Sequence, residues 1–244
     1  MIRIGALSYL NTIPFIYGLK KYNLISEDNI VYNFPSNSAK SLINNDVDVA
    51  LIPSVALRFL KNYSIISNFC IGSEKEVDSV CVYSDVNIND VKEIILDYQS
   101  NTSVELLKII IKDYWKISPK LINSKEGYES NIKGSTAALV IGDRAFALNG
   151  KYKYTYDLAS LWYQMTNLPF VFACWVTTVK LSDDFILNFN SALEYGVRNI
   201  DLAIKEEGME CVSKDPGDYL NNKISYNFDS RKKESLKLFL EKII

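Results

Sequence analysis

The chain has no histidine among its 244 residues. That absence removes Ser-His triads, Cys-His dyads, most zinc sites and the commonest general acid/base at neutral pH. Cysteine is sparse and scattered: Cys70, Cys81, Cys174 and Cys211 stand far apart with none in a C-x-x-C, the pattern of buried free thiols. Arginine is confined to Arg3, Arg58, Arg144, Arg198 and Arg231. The net charge of −2 gives no electrostatic footprint for nucleic acid or an anionic membrane, and neither is an expected partner. No apolar run approaches the ~20 residues that span a bilayer. The glycines form neither G-x-G-x-x-G nor G-x-x-x-x-G-K, and no ligand cluster has metal spacing, so no cofactor or metal is expected. With a first strand expected from Met1, no secretory signal is expected either, and the expected compartment is the cytoplasm. What remains is 48% apolar and 23% charged, the profile of a soluble globular protein with one large or two small cores.

The most informative stretch is residues 5–14, Gly-Ala-Leu-Ser-Tyr-Leu-Asn-Thr-Ile-Pro. Ile2 and Ile4 before it share one face of a strand. Pro14, Phe15, Ile16 and Leu19 after it open a helix, with proline where its missing N–H matters least. The polar residues Ser8, Tyr9, Asn11 and Thr12 therefore sit where a strand ends and a helix begins. In open α/β sheets that crevice receives small ligands. The same residues also suit an ordinary polar loop whose Asn or Thr caps the helix.

Further along, residues 29–34 and 46–53 read as strands with a helix between them, capped around Ser36. Ser54 starts another short helix. The first sixty residues thus read β-α-β-α-β-α, and such helix starts suit a carboxylate or phosphate. Strands follow at 65–71 and 77–83, and a polar break at 84–90 suggests a crossover to a second lobe. That lobe holds a strand at 93–97, a helix at 104–115 capped by Thr102 or Ser103, and a buried strand that breaks at Gly142 and Asp143. A helix at 158–166 and an aromatic strand at 170–176 follow, and Phe170, Phe172, Trp162 and Trp175 suit either a core or a pocket wall. A long helix from Asp183 to about residue 206 returns to the first lobe, and a last helix covers 231–244. The alternation predicts an α/β protein with lobes at 1–85 plus 177–244 and at 86–176. Its plan is the two-lobed, type II periplasmic-binding-protein fold. The cleft would receive Asn11 and Ser36 from one side and Thr102, Ser103 and Asp143 from the other.

These residues resemble the chorismate dehydratases of the futalosine route to menaquinone. The matching stretches are Ser8-Tyr9-Leu10-Asn11-Thr12 with Pro14, Pro35-Ser36, residues 46–54 (Asp-Val-Asp-Val-Ala-Leu-Ile-Pro-Ser) and Asp78-Ser79-Val80. Thr102-Ser103-Val104, residues 138–143 (Ala-Leu-Val-Ile-Gly-Asp), Asp157-Leu158 with Trp162 and Thr166, and residues 168–173 with Trp175 continue the match. Three positions depart: Asn101 stands where a Ser-Arg-Thr-Ser run is expected, and Ala159 and Asn167 replace expected glycines. The sister family that makes 1,4-dihydroxy-6-naphthoate has a Ser-Pro-Cys-Pro-Asn-Asp type start and a catalytic histidine, and this chain has neither. A small-anion-binding module of the same fold, without catalysis, is the other alternative.

The resemblance implies elimination of water from chorismate to give 3-[(1-carboxyvinyl)oxy]benzoate. It implies a catalytic Asn11 and substrate contacts at Ser8, Tyr9, Ser36, Ser54, Ser79, Thr102, Ser103, Gly142, Asp143 and Phe172. Uncharged donors at helix starts can hold both substrate carboxylates. For the proton on C3 the residues alone leave Asp143, Asp157 or Tyr9 as acceptors. The resemblance implies instead that the substrate's own enolpyruvyl carboxylate takes it.

Overall fold

The computed structural model describes residues 2–7, 9–22, 29–33, 35–207 and 215–243. In chain order the strands are β1 (Ile4–Leu7), β2 (Ile30–Asn33), β3 (Val49–Pro53), β4 (Ser64–Ser73), β5 (Val80–Ser84) and β6 (Glu93–Leu96). They continue with β7 (Lys120–Asn123), β8 (Thr136–Ile141), β9 (Tyr154–Asp157), β10 (Phe170–Thr177) and β11 (Ser225–Asn227). The helices are α1 (Ile13–Lys21), α2 (Pro35–Ile43), α3 (Asn101–Ile109), α4 (Asp143–Phe146) and α5 (Leu158–Thr166). Then come α6 (Asp183–Arg198), α7 (Ile200–Glu207), α8 (Pro216–Asp218) and α9 (Ser230–Lys242). The long helix expected after Asp183 is two, α6 and α7, parted at Asn199, where ψ rises to 42°.

Two sheets carry the molecule, one of six strands in the order β11-β4-β10-β3-β1-β2 and one of five in the order β7-β6-β8-β5-β9. They follow one plan. In the first, β1 lies between two parallel neighbours, β2 and β3. In the second, β6 lies likewise between β7 and β8. Each sheet then takes an antiparallel strand, β10 between β3 and β4 and β5 between β8 and β9, and the first takes a second, β11, at its edge against β4. The inner parallel strands β1 and β3 are covered on both faces, which is why β1 and the first four residues of β3 are wholly buried and apolar apart from Gly5.

The chain changes sheet between β4 and β5 and again between α5 and β10. The boundaries expected at 85/86 and 176/177 cut it elsewhere, leaving β5 and β10 on the wrong sides. The polar stretch expected as a crossover is the end of β5 at Ser84 and the residues 85–90 that follow it, and Val80 to Tyr83 of β5 register with Ile141 to Ala138 of the second sheet. Asp157 fastens the two crossovers together. Its carboxylate accepts from the amides of Val77 (2.8 Å), Asp78 (2.7 Å) and Ser160 (2.9 Å).

Packing fixes the helix that carries the Asn11 turn. α1 and α6 approach so closely that a Cβ on Gly18 would lie 2.0 Å from the Ala192 carbonyl oxygen, and one on Gly196 would lie 1.7 Å from that of Pro14. Only glycines permit this crossing, since real Cβ contacts are never that short. Trp162 and Phe170 stack edge-on with Phe239 at 6.1 and 5.1 Å and form core, as does the fully buried Trp175. Ala159 is likewise buried, and Asn167 ends α5 at φ 58°, a left-handed turn that asparagine tolerates in place of glycine.

Candidate functional site

A cleft opens between the two sheets; the space it encloses, about 80 Å³, is below the ~300–1,000 Å³ typical of small-molecule sites. From the first sheet it receives Tyr9, Leu10 and Asn11, then Pro53 at the end of β3, and Phe172 and Ala173 from β10. From the second come Ser79, Ser100, Thr102, Ser103, Gly142 and Asp143, and Tyr219 closes one side. Among the described residues no lysine or arginine lines it. Its wall is chiefly apolar, with neutral donors and one carboxylate.

The turn after β1 is a single tight helical turn, Leu10–Thr12, leading into α1. Thr12 ties it down by donating to the carbonyls of Leu7 (2.6 Å) and Tyr9 (2.7 Å). No side chain caps either the turn or α1. Asn11 is therefore not the helix cap, and its amide lines the cavity while Tyr226 holds its backbone carbonyl at 3.1 Å. The Tyr9 hydroxyl is buried with no hydrogen-bond partner among the described residues. Burial, and then the Asp97 carboxylate, push its pKa up to about 12, so the phenol stays protonated and is a donor awaiting an acceptor.

The turn after β6 is built differently. Ser100, not Thr102 or Ser103, caps α3: its Oγ accepts from the Ser103 amide at 3.2 Å and lies 2.8 Å from Ser103 Oγ. Thr102 Oγ1 accepts from the Val55 amide at 3.3 Å. That contact joins the second sheet's helix to the first sheet's loop and leaves the threonine proton free to donate. Asn101, where an arginine was expected, opens α3 and is exposed.

The third wall is the break after β8. Gly142 has φ 63° and ψ −146°, a conformation essentially restricted to glycine, and a Cβ there would lie 3.4 Å from the Tyr9 ring. Asp143 is the first residue of α4 rather than its cap, and burial raises its carboxyl above the ordinary value. Arg144, next in sequence, is engaged elsewhere. It donates to Asp97 at 2.6 Å and Glu129 at 2.8 Å and lies over the Tyr98 ring at 4.9 Å.

The cavity thus brings together Tyr9, Asn11, Ser79, Thr102, Ser103, Gly142, Asp143 and Phe172. Ser54 is not among them: it is fully buried and donates to the Val171 carbonyl at 2.6 Å, bracing β3 against β10. Asp157 is also away from the cavity, committed to its three amides. Ser36 lies within α2, and Ser8 is outside the described residues. Two polar lining residues, Ser100 and Tyr219, escaped the sequence reading. Ser100 belongs to the same Ser-Asn-Thr-Ser run, in which the cap was expected at Thr102 or Ser103. Tyr219 lies 140 positions from its partner Ser79 and belongs to no motif.

The sequence profile of a family described as menaquinone biosynthesis matches residues 2–243. The chain belongs to that family. Among its curated relatives, a chorismate dehydratase of Thermus thermophilus is 25% identical over 189 residues, 66% of this chain and 69% of that protein. A chorismate dehydratase of Campylobacter jejuni is 30% identical over 174 residues, 69% of this chain and 64% of that protein. The match therefore spans about two thirds of each relative's length. Solved structures give the fold. A structural-genomics protein of Archaeoglobus fulgidus matches with TM-score 0.68 at 16% identity, covering 99% of this chain and 96% of its own. The ligand-binding component of an ABC-type import system from Staphylococcus aureus matches with TM-score 0.63 at 14% identity, covering 99% and 90%. A Candida albicans protein of generic periplasmic-binding-protein fold matches with TM-score 0.57 at 12% identity, covering 98% and 90%. The family member described here thus has the two-lobed α/β fold of periplasmic binding proteins. No helix among its described residues is long and apolar enough to cross a membrane.

Proposed function

We propose that the chain is a chorismate dehydratase, a carbon–oxygen lyase of the cytoplasm that forms 3-[(1-carboxyvinyl)oxy]benzoate from chorismate. The observation that carries this reading is the cavity's donor set: Asn11, Tyr9, Ser79 and Thr102 present neutral donors beside the start of α3, with no cation among the described lining residues. Such a wall suits a ligand with two carboxylates without fixing its ground state by strong ion pairs. The names of the two relatives supply the substrate.

In the reaction the C3 proton leaves, its bonding pair becomes ring π density, and the C4–O bond breaks toward oxygen. Proton and hydroxide depart together as water, and the ring becomes aromatic. Tyr9 is unsuited to accept the proton, because its phenol is already held protonated. Asp157 does not reach the cavity. Of the protein groups this leaves Asp143, whose residue lines the cavity; as the family resemblance implies, we assign the proton instead to the substrate's own enolpyruvyl carboxylate, with Asn11 orienting that carboxylate or the departing hydroxyl. The apolar wall of Leu7, Ile71, Val80 and Phe172 shields the reacting face from water.

The test is to mix purified protein with chorismate and follow the products by ultraviolet absorption and proton NMR. The aromatic enol ether with loss of one water is the expected product. Saturable binding with chorismate recovered intact would make the chain a binding module and overturn the proposal.

A further inference from the structure

Ser79 and Asn11 reach the cavity from different sheets, and the hydroxyl of Tyr219 lies against both. Ser79 Oγ and the Tyr219 oxygen are 2.9 Å apart in a buried contact. The Asn11 side chain adjoins the same hydroxyl. Tyr219 is only 5% exposed, and its ring stands edge-on to Phe146 with centroids 4.9 Å apart. It arrives in the turn after Asp215, whose carboxylate caps α8 by accepting from the Asp218 amide at 2.9 Å. From the same part of the chain Tyr226 donates to the Asn11 carbonyl oxygen at 3.1 Å. The C-terminal segment thus meets Asn11 at both its backbone and its side chain.

We propose that Tyr219 is a positioning residue of this site, a hydroxyl clamp between Ser79 and Asn11 that fixes which of them points its donor hydrogens into the cavity. A phenol has one proton to give and lone pairs to accept with. The phenol gives its proton to Ser79 Oγ and the Asn11 amide donates back to the phenol, so the Ser79 proton is free to face an anionic ligand. A phenylalanine would fill the same space, so the hydroxyl is needed only for the clamp.

The kinetic arm of the test rests on the chorismate reading, and a second arm does not. Tyr219→Phe is expected to lower kcat by about tenfold or more while KM stays within about threefold. The control is Tyr83→Phe, whose hydroxyl donates to the Ala145 carbonyl at 2.8 Å outside the cavity; it should keep wild-type kcat. Ser79→Ala combined with Tyr219→Phe should be no more than about threefold slower than Ser79→Ala alone, because the two act as one unit. Independently of turnover, the Asn11 side-chain amide hydrogens should exchange slowly by NMR in the wild type and faster in Tyr219→Phe. A folded Tyr219→Phe protein with kcat within about threefold of wild type, or with unmoved Asn11 amide resonances, overturns the clamp. If the wild type leaves chorismate untouched, the functional reading fails and the amide exchange alone decides. If Tyr219→Phe does not fold, the wild type decides: Asn11 amide hydrogens exchanging as fast as those of exposed Asn131 overturn the proposal.

Discussion

The turn after β1 and the turn after β6 occupy equivalent places, each following a strand flanked by two parallel neighbours. Both face the same cavity, yet they are finished differently. After β6, Ser100 caps α3 and Thr102 accepts an amide from the opposite sheet's loop, so the side chains hold structure and offer only leftover protons. After β1 there is no side-chain cap, Thr12 ties the turn back from within while Tyr226 holds its Asn11 carbonyl, and Asn11 lines the cavity. A capped turn with a nine-residue helix behind it is suited to holding a carboxylate. An uncapped turn whose Asn11 lines the cavity beside Tyr219, set on a helix locked by the α1–α6 crossing, is suited to orienting what reacts.

The largest effect should come from the uncapped turn. Asn11→Asp keeps the shape but replaces two donor hydrogens with an acceptor-only anion facing a dianionic substrate. A hydrogen bond to a charged group is worth roughly 1.5–3 kcal/mol, and each 1.36 kcal/mol is about tenfold in rate. We expect kcat/KM on chorismate to fall on the order of 10–100-fold, with the melting temperature kept. Next is Gly142→Ala, which places a Cβ at φ 63° and should cost about 1–3 kcal/mol in chemical denaturation. Ser100→Ala removes the α3 cap and should cost about 1 kcal/mol, checked in the same way. If removing the Thr12 hydroxyl were to cost no stability, the uncapped turn would have some other brace and the contrast would weaken.

The smallest effect is a pH dependence at Asp143. Burial raises its carboxyl, so folding favours the protonated form. That contribution is fully present below the unfolded value of ~3.9 and is lost as pH rises through the higher folded value. Asp143→Asn should therefore melt above wild type in mildly alkaline buffer and lose the advantage in strong acid. The opposite order would mean that the carboxylate is stabilised in its charged form.

Much of this contrast was legible from residues. The β-α-β-α-β opening was plain, because Val49 to Ile52 form a run buried on both faces, and the strand-to-helix crevice at Asn11 followed from Pro14. The sheet to which β5 and β10 belong was not legible. Both are apolar on both faces, and only their pairing decides. The α3 cap was ambiguous within Ser-Asn-Thr-Ser; the extended backbone at Ser100, φ −126° and ψ 97°, selects it. Ser54 was expected to meet the ligand because it starts a helix within a stretch that matches the family, but a buried hydroxyl takes the nearest carbonyl, here that of Val171. Tyr219 carried no local signal at all, since its partner is set by tertiary packing.

The most direct test measures kcat and KM for chorismate on Asn11→Asp and Thr102→Val side by side. If the uncapped turn orients the reaction and the capped turn binds, Asn11→Asp lowers kcat by about tenfold or more with KM nearly unchanged. Thr102→Val then raises KM several-fold with kcat within about threefold. The reverse split, or equal losses in the same parameter, would contradict the division of labour between the two turns.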